Sequence, residues 1–156
     1  MANTDKRIIY TDNEGQLVIM CPANNCGLTV EQIQAKDVPS GISTSHIIDA
    51  TDLPSDTDFI DAWTTHLRTM GFGIDMAKAK VIHQEKIRKA RRKLLPQLDI
   101  DFIKAQETSA DTSAIVAKKQ ALRDYPAQAG ISTAQNITDL KANWDTSVLG
   151  KSPYSS

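Results

Sequence analysis

Apolar positions run in short, strand-length clusters up to about residue 54 and recur at helical spacing after it. Arg7-Ile8-Ile9-Tyr10 reads as a short strand, and Leu17-Val18-Ile19-Met20 as its return. Asp12-Asn13-Glu14-Gly15 between them has turn chemistry: Asn and Gly tolerate positive φ, and Asp and Asn side chains close turns. The unbroken apolar run of the return strand predicts burial on both faces or a lid over it. Pro22 closes it. Thr29 and Gln32 match a capping box that starts a short helix through Lys36, stopped by Asp37-Val38-Pro39. Ser45-His46-Ile47-Ile48-Asp49 reads as a third strand. A β-β-α-β module over 1–54 is too small to stand alone without a partner surface or the helices that follow.

Leu53-Pro54-Ser55-Asp56 punctuates the chain, with Ser55 or Asp56 as a helix cap. Phe59, Ile60, Trp63 and Leu67 recur at helical spacing and predict an amphipathic helix over 58–70, ended by Gly71-Phe72-Gly73. Asp75 suits the start of a long helix, where its charge faces the positive end of the dipole. Met76, Ala79, Ile82 or His83, Ile87, Ala90, Leu94, Leu98 and Phe102 step by threes and fours, a narrow stripe close to a heptad seam. Pro96 interrupts this pattern and predicts a kink or a restart.

Thr108-Ser109-Ala110-Asp111 is a polar hinge. A second helix over 112–124 would bury Ile115, Val116, Ala121 and Leu122, and the short connection predicts an antiparallel helical hairpin over 75–124. Tyr125-Pro126 stops it and 127–135 reads as loop. Asn136 or Thr138 caps a last short helix carrying Ile137, Leu140 and Trp144. The tail, 150–156, is small and polar and should lack order unless something holds it. The fold class is α+β: a β-rich module over 1–54, a helical region over 55–149, and a tail.

Composition adds limits. Apolar residues make up 40% and aromatics 5%, so any core is built mostly from Ile, Leu, Val and Ala. Eighteen basic and nineteen acidic residues nearly cancel, which argues against a chain that is electrostatic throughout in its binding of nucleic acid. No window reaches the roughly 18–20 apolar residues that span a bilayer. The first seven residues, Met1 to Arg7, are polar and lack a signal-peptide core, so the expected compartment is a cytoplasm. Cys21 and Cys26 read as unpaired structural thiols, with a disulfide or half a metal site as the alternatives, since no second Cys pair is present.

Charge is uneven along the chain. Lys78, Lys80, Lys86, Arg88, Lys89, Arg91, Arg92 and Lys93 form a basic row, opposed within it mainly by Glu85. Such a row is a solvated helix back, a docking face for an acidic protein surface, or a phosphate-binding face. Few aromatics interleave with it, which weakens a single-strand stacking platform. His46, His66 and His83 are too separated for a zinc site, and His83 reads as a packed histidine. Asp99 and Asp101 lie two apart and do not share a helix face, so they are a poor acid/base pair. Gly71-Phe72-Gly73 lacks the phosphate-loop ending, and no nucleophile motif is present. These residues favour a binding or structural role over an enzyme, with no cofactor and no metal.

The spacing of Arg88, Arg91 and Arg92, then Leu94-Leu95 and Asp99, then Gln120-Ala121-Leu122-Arg123-Asp124 with Pro126, and finally Trp144, resembles small bacteriophage tail-fibre and tail assembly chaperone proteins. Cys26-Gly27-Leu28-Thr29, Lys36-Asp37-Val38-Pro39 and the stretch from Leu53-Pro54-Ser55-Asp56 to Trp63 are similar to segments of phage virion proteins. The chain departs from the compact chaperones in a longer spacer between Asp99 and Gln120 and in its extra β-rich half. The resemblance therefore implies a tail protein of the virion, present in the host cytoplasm during assembly, that binds fibre or tube subunits in repeated copies. A transient chaperone and a nucleic-acid-binding helical protein are the alternatives. Partner contact falls to Trp63, Ile87, Arg88, Arg92, Leu94, Leu98, Arg123 and Trp144. For both tryptophans core burial is the first reading and interface anchoring the alternative, because large rigid aromatics dominate interface hot spots.

Overall fold

The computed structural model describes residues 5–66 and 71–154, in two compact units, Met1–Asp75 and Met76–Ser156. The first holds the expected β-β-α-β order: β1 (Lys6–Thr11), β2 (Leu17–Met20), α1 (Val30–Asp37) and β3 (Ser45–Asp49). The sheet is antiparallel in the order β2-β1-β3, with Ile9 opposite Ile19 on one side and His46 on the other. The turn after β1 closes as its sequence dictates. One carboxylate oxygen of Asp12 accepts the amides of Glu14 at 2.9 Å and Gln16 at 2.8 Å, and Gly15 takes the left-handed φ of 78°. The capping box forms: Thr29 Oγ1 accepts the Gln32 amide, and the Gln32 side chain accepts the Thr29 amide at 2.8 Å. Ile8 packs with Val30 and Ile33 of α1, while Ile9, pointing the opposite way, is equally buried. The strand covered on both faces is thus the central β1. β2, expected to be buried on both faces or covered by a lid, lies at the sheet edge and is half-buried throughout.

The helix expected over 58–70 is not formed. A single 3-10 turn, Ile60–Ala62, leads into β4 (Trp63–His66), which pairs antiparallel with β5 (Gly71–Ile74). Phe59, Ala62 and Trp63 are buried, which accounts for an apolar spacing that imitates a helix face. Thr64 and Thr65 favour extended backbone. Gly71-Phe72-Gly73 serves as strand rather than helix stop: a Cβ on Gly73 would stand 2.9 Å from Thr64 Oγ1 across the ladder. Phe72 meets the Trp63 ring edge-on at 6.1 Å. The end of the first unit therefore lies past this hairpin, at Asp75, and not near Pro54. Leu67 and Met70 lie outside the described residues, as do Met1 to Thr4.

The second unit is helical. α2 (Met76–Glu107) runs unbroken through Pro96, so the restart expected there does not occur. α3 (Ser113–Asp124) returns antiparallel to it, as the short hinge predicts. Lys119 pairs with Asp99 at 2.7 Å, and further along Arg91 donates to the Arg123 carbonyl at 2.9 Å. The expected stripe on α2 is buried only at Ala79, His83 and Ile87, whereas Ala90, Leu94, Leu98 and Phe102 are half-buried. On α3 only Leu122 is buried; Val116 and Ala121, expected inside, are exposed.

After a 3-10 turn, Tyr125–Ala127, come α4 (Ala129–Thr133), α5 (Ile137–Ala142) and α6 (Thr146–Leu149). The region expected as loop thus contains α4. The last expected helix ends before Trp144, capped at its start by Asn136, whose side chain accepts the Asp139 amide. α2 packs against α3, α5, α6 and the Tyr125 turn. Tyr125 ties the turn down: its hydroxyl donates to the Asn143 carbonyl at 2.6 Å and accepts the Asp145 amide at 2.9 Å.

Candidate functional site

The site is built on the middle of α2. Lys86, Lys89 and Lys93 follow one another by three and four residues, so they share a helix face, and Ala90 and Leu94 run alongside that row. Opposite stands the end of α6 and the segment after it. The two sides enclose a groove of about 470 Å³ with Ala90, Leu94, Trp144 and Leu149 as its apolar floor. Lys86, Lys89, Lys93 and Lys151 rim it, and no acidic side chain lines it among the described residues. A second depression of about 210 Å³ continues from Leu94 to Leu98, Leu122 and Val148.

The wall after α6 is the tail that the sequence suggests should lack order; its part up to Tyr154 is held by this chain itself, while Ser155 and Ser156 lie outside the described residues. Gly150 turns the chain with φ 76° and ψ −159°, a conformation essentially restricted to glycine. Its carbonyl accepts Trp144 Nε1 at 3.1 Å. Tyr154 then stacks on His83 with ring centroids 5.8 Å apart, and its hydroxyl lies 2.6 Å from His83 Nδ1. Trp144 meets both rings edge-on. The Lys86 ammonium lies 4.6 Å and that of Lys141 5.3 Å from the Tyr154 ring centre, so two cations close the stack.

His83 is fully buried, as its packed position on the helix predicts. Burial, and secondarily the charge of Lys86, holds its pKa down to about 4. The unfolded imidazole titrates near 6.5. Between these values the unfolded chain takes up a proton that the folded one refuses. The stability due to neutral His83 is therefore complete above pH 6.5 and is lost as pH falls toward 4. From pH 7 to 4 the wild type should lose about 3 kcal/mol more than His83→Gln, in which this titration is absent while the carboxylates common to both titrate equally. Urea melts of both proteins across that range test this; parallel losses would contradict it.

The residues expected to touch a partner divide. Trp63 belongs to the core of the first unit, and Ile87 and Trp144 to that of the second, all at most 8% exposed. Ile87 and Trp63 are therefore corrected to core residues, and Trp144 contributes only an edge to the groove floor. Leu94 and Leu98 line the depressions. Arg88 is held to Glu85 one turn away on the helix, and Arg92 is exposed. Arg123 joins α3 to α2 through its carbonyl rather than its side chain, and Asp124 accepts from Gln120.

Lys151, Leu149, Pro153 and Tyr154 were not singled out by the sequence. Their one visible sign is an aromatic and a proline in an otherwise polar tail. Cys21 and Cys26 are both exposed and unpaired thiols, and no cluster among the described residues could hold a metal ion. No described helix is long and apolar enough to cross a membrane. No known protein family, characterised protein or solved structure matches the chain.

Proposed function

We propose that this chain is a bacteriophage tail component that binds tail-fibre or tail-tube subunits through its helical unit, as a structural adaptor. The observation that carries the binding role is the lysine-rimmed apolar groove on α2. Further support comes from the outer half of the helical hairpin, where Ile100, Ile103 and Val116 are exposed. Single exposed apolar residues are ordinary, but several on one helical hairpin that also carries an apolar depression suit a partner surface. The assignment to a phage tail rests on the Gln120-Ala121-Leu122-Arg123-Asp124 element and the basic helix ahead of it. Tail symmetry would present the site in repeated copies.

Mass spectrometry of purified particles, with host lysate as control, tests this reading. Presence at fixed stoichiometry is the expected result. Presence in lysate alone would replace the adaptor with a transient assembly chaperone or a protein foreign to the particle. The nucleic-acid reading is weakened by the basic row itself: Lys86 caps the Tyr154 ring, Arg88 pairs with Glu85 and Arg91 holds Arg123.

A further inference from the structure

We propose that the groove between α2 and the strap 150–154 takes an acidic, amphipathic segment of the partner protein, its apolar side chains on the floor and its carboxylates at the lysine rim. This deepens the reading of the helical unit as the partner-binding element and rests on it. Charge complementarity decides the occupant. Lys89, Lys93 and Lys151 stand exposed at the opening and no described carboxylate lines it. A segment without acidic residues would bring no counter-charge to that rim, and one bearing Lys or Arg would meet like charge directly.

The shape favours a peptide over a compact ligand. The two depressions share Leu94 and follow α2 from Lys86 to Leu98. Twelve helical steps cover about 18 Å, the length of three turns of a partner helix. The floor argues against nucleic acid, whose phosphates would contact the rim while Ala90, Leu94 and Leu149 faced no apolar group. The apolar face of an amphipathic helix covers such a floor, with anchors at i, i+3 or i+4 and i+7.

The strap supplies the second wall, and its position is fixed internally. Gly150 is tied to Trp144, and Tyr154 is seated on His83. Lys151 is therefore a rim charge placed by tertiary structure, independent of the helical row. This gives two separate ways to alter the site without touching the core, since Lys89, Lys93 and Lys151 are all exposed.

The test is selection of random displayed peptides of about twelve residues on the immobilised full-length chain. The selected peptides are then synthesised and titrated against wild type, Lys89→Glu/Lys93→Glu and Lys151→Glu, each checked by circular dichroism. The expected peptides combine Asp or Glu with Leu, Ile or Phe at helical spacing. Their Kd should weaken about tenfold or more with the double variant, and to a smaller extent with Lys151→Glu. Selected peptides without acidic enrichment, or unchanged binding to both folded variants, would overturn the proposal. So would failure to select any peptide. Random-sequence duplex DNA that binds with a steep salt slope and displaces the peptides would reassign the rim to phosphates. None of these outcomes depends on the particle composition, so failure here and failure of the tail assignment are read separately.

Discussion

Ile87→Asp should unfold the helical unit. Ile87 is fully buried on α2, one turn beyond His83 and two beyond Ala79, the other buried positions of that helix. Replacing it removes about 1.5–3 kcal/mol of apolar burial. The new carboxyl would be neutral or unpaired in a dry site, where burial raises such groups by up to about 3–5 pKa units. At neutral pH the folded chain then holds the carboxyl neutral about three units above its ordinary value, which at about 1.4 kcal/mol for each unit adds roughly 4 kcal/mol. The sum of roughly 5–7 kcal/mol reaches the lower end of the stability of an ordinary domain, about 5–15 kcal/mol. Most of the ellipticity at 222 nm should vanish, because α2 and α3 are the longest helices of the chain. Ile100→Asp is the control: Ile100 is 47% exposed, and that change should stay within about 0.5 kcal/mol of wild type. A cooperative melt of Ile87→Asp near that of the control would contradict the placement of Ile87.

What the sequence made legible was local. The Asp12 to Gly15 turn, the Thr29 and Gln32 box, the Asn136 cap and the α2–α3 hairpin each rest on residues close in the chain, and each is found. The failures arise where one local pattern serves two structures. Phe59, Ile60 and Trp63 fit a helix face, yet the 3-10 turn at Ile60–Ala62 followed by extended backbone buries Phe59 and Trp63 just as well. It leaves Ile60 exposed, which the helical pattern could not foresee. On α2 the apolar spacing correctly marks a stripe, but spacing does not say where covering elements end. The stripe is closed over at Ala79, His83 and Ile87 and only partly covered beyond them.

The site shows the same division. The lysine row was visible because helical periodicity aligns it. The opposite wall was not, because it depends on a contact between residues 71 positions apart, His83 and Tyr154. Chain ends without apolar runs give no sign of docking until their partner surface is known. The tryptophans illustrate a separate ambiguity: an aromatic on an amphipathic pattern serves a core or an interface equally well, and only burial separates these roles.

Leu94→Asp should leave the protein folded and abolish its assembly with a partner. Leu94 is half-buried and lies where the two depressions meet, so any segment that follows the groove passes over it. In the free chain the new carboxylate remains in reach of water, and the change should cost only about 1–2 kcal/mol of stability. In the complex the same group would be covered by an apolar side chain. Loss of the leucine contact, about 1.5–3 kcal/mol, combines with desolvation of an unpaired charge, and repulsion from an acidic partner acts in the same direction. A combined loss of about 4 kcal/mol corresponds to roughly a thousandfold in Kd. Leu94→Ala separates the two causes: it forfeits contact without adding charge, so its binding should fall by about tenfold to a hundredfold while its fold is kept. Complementation with each variant, followed by quantification of the chain in purified particles, reads the outcome. Incorporation of folded Leu94→Asp at the wild-type level would remove the groove from the assembly interface. Loss with Leu94→Asp and partial retention with Leu94→Ala would place the contact on the Leu94 side chain itself.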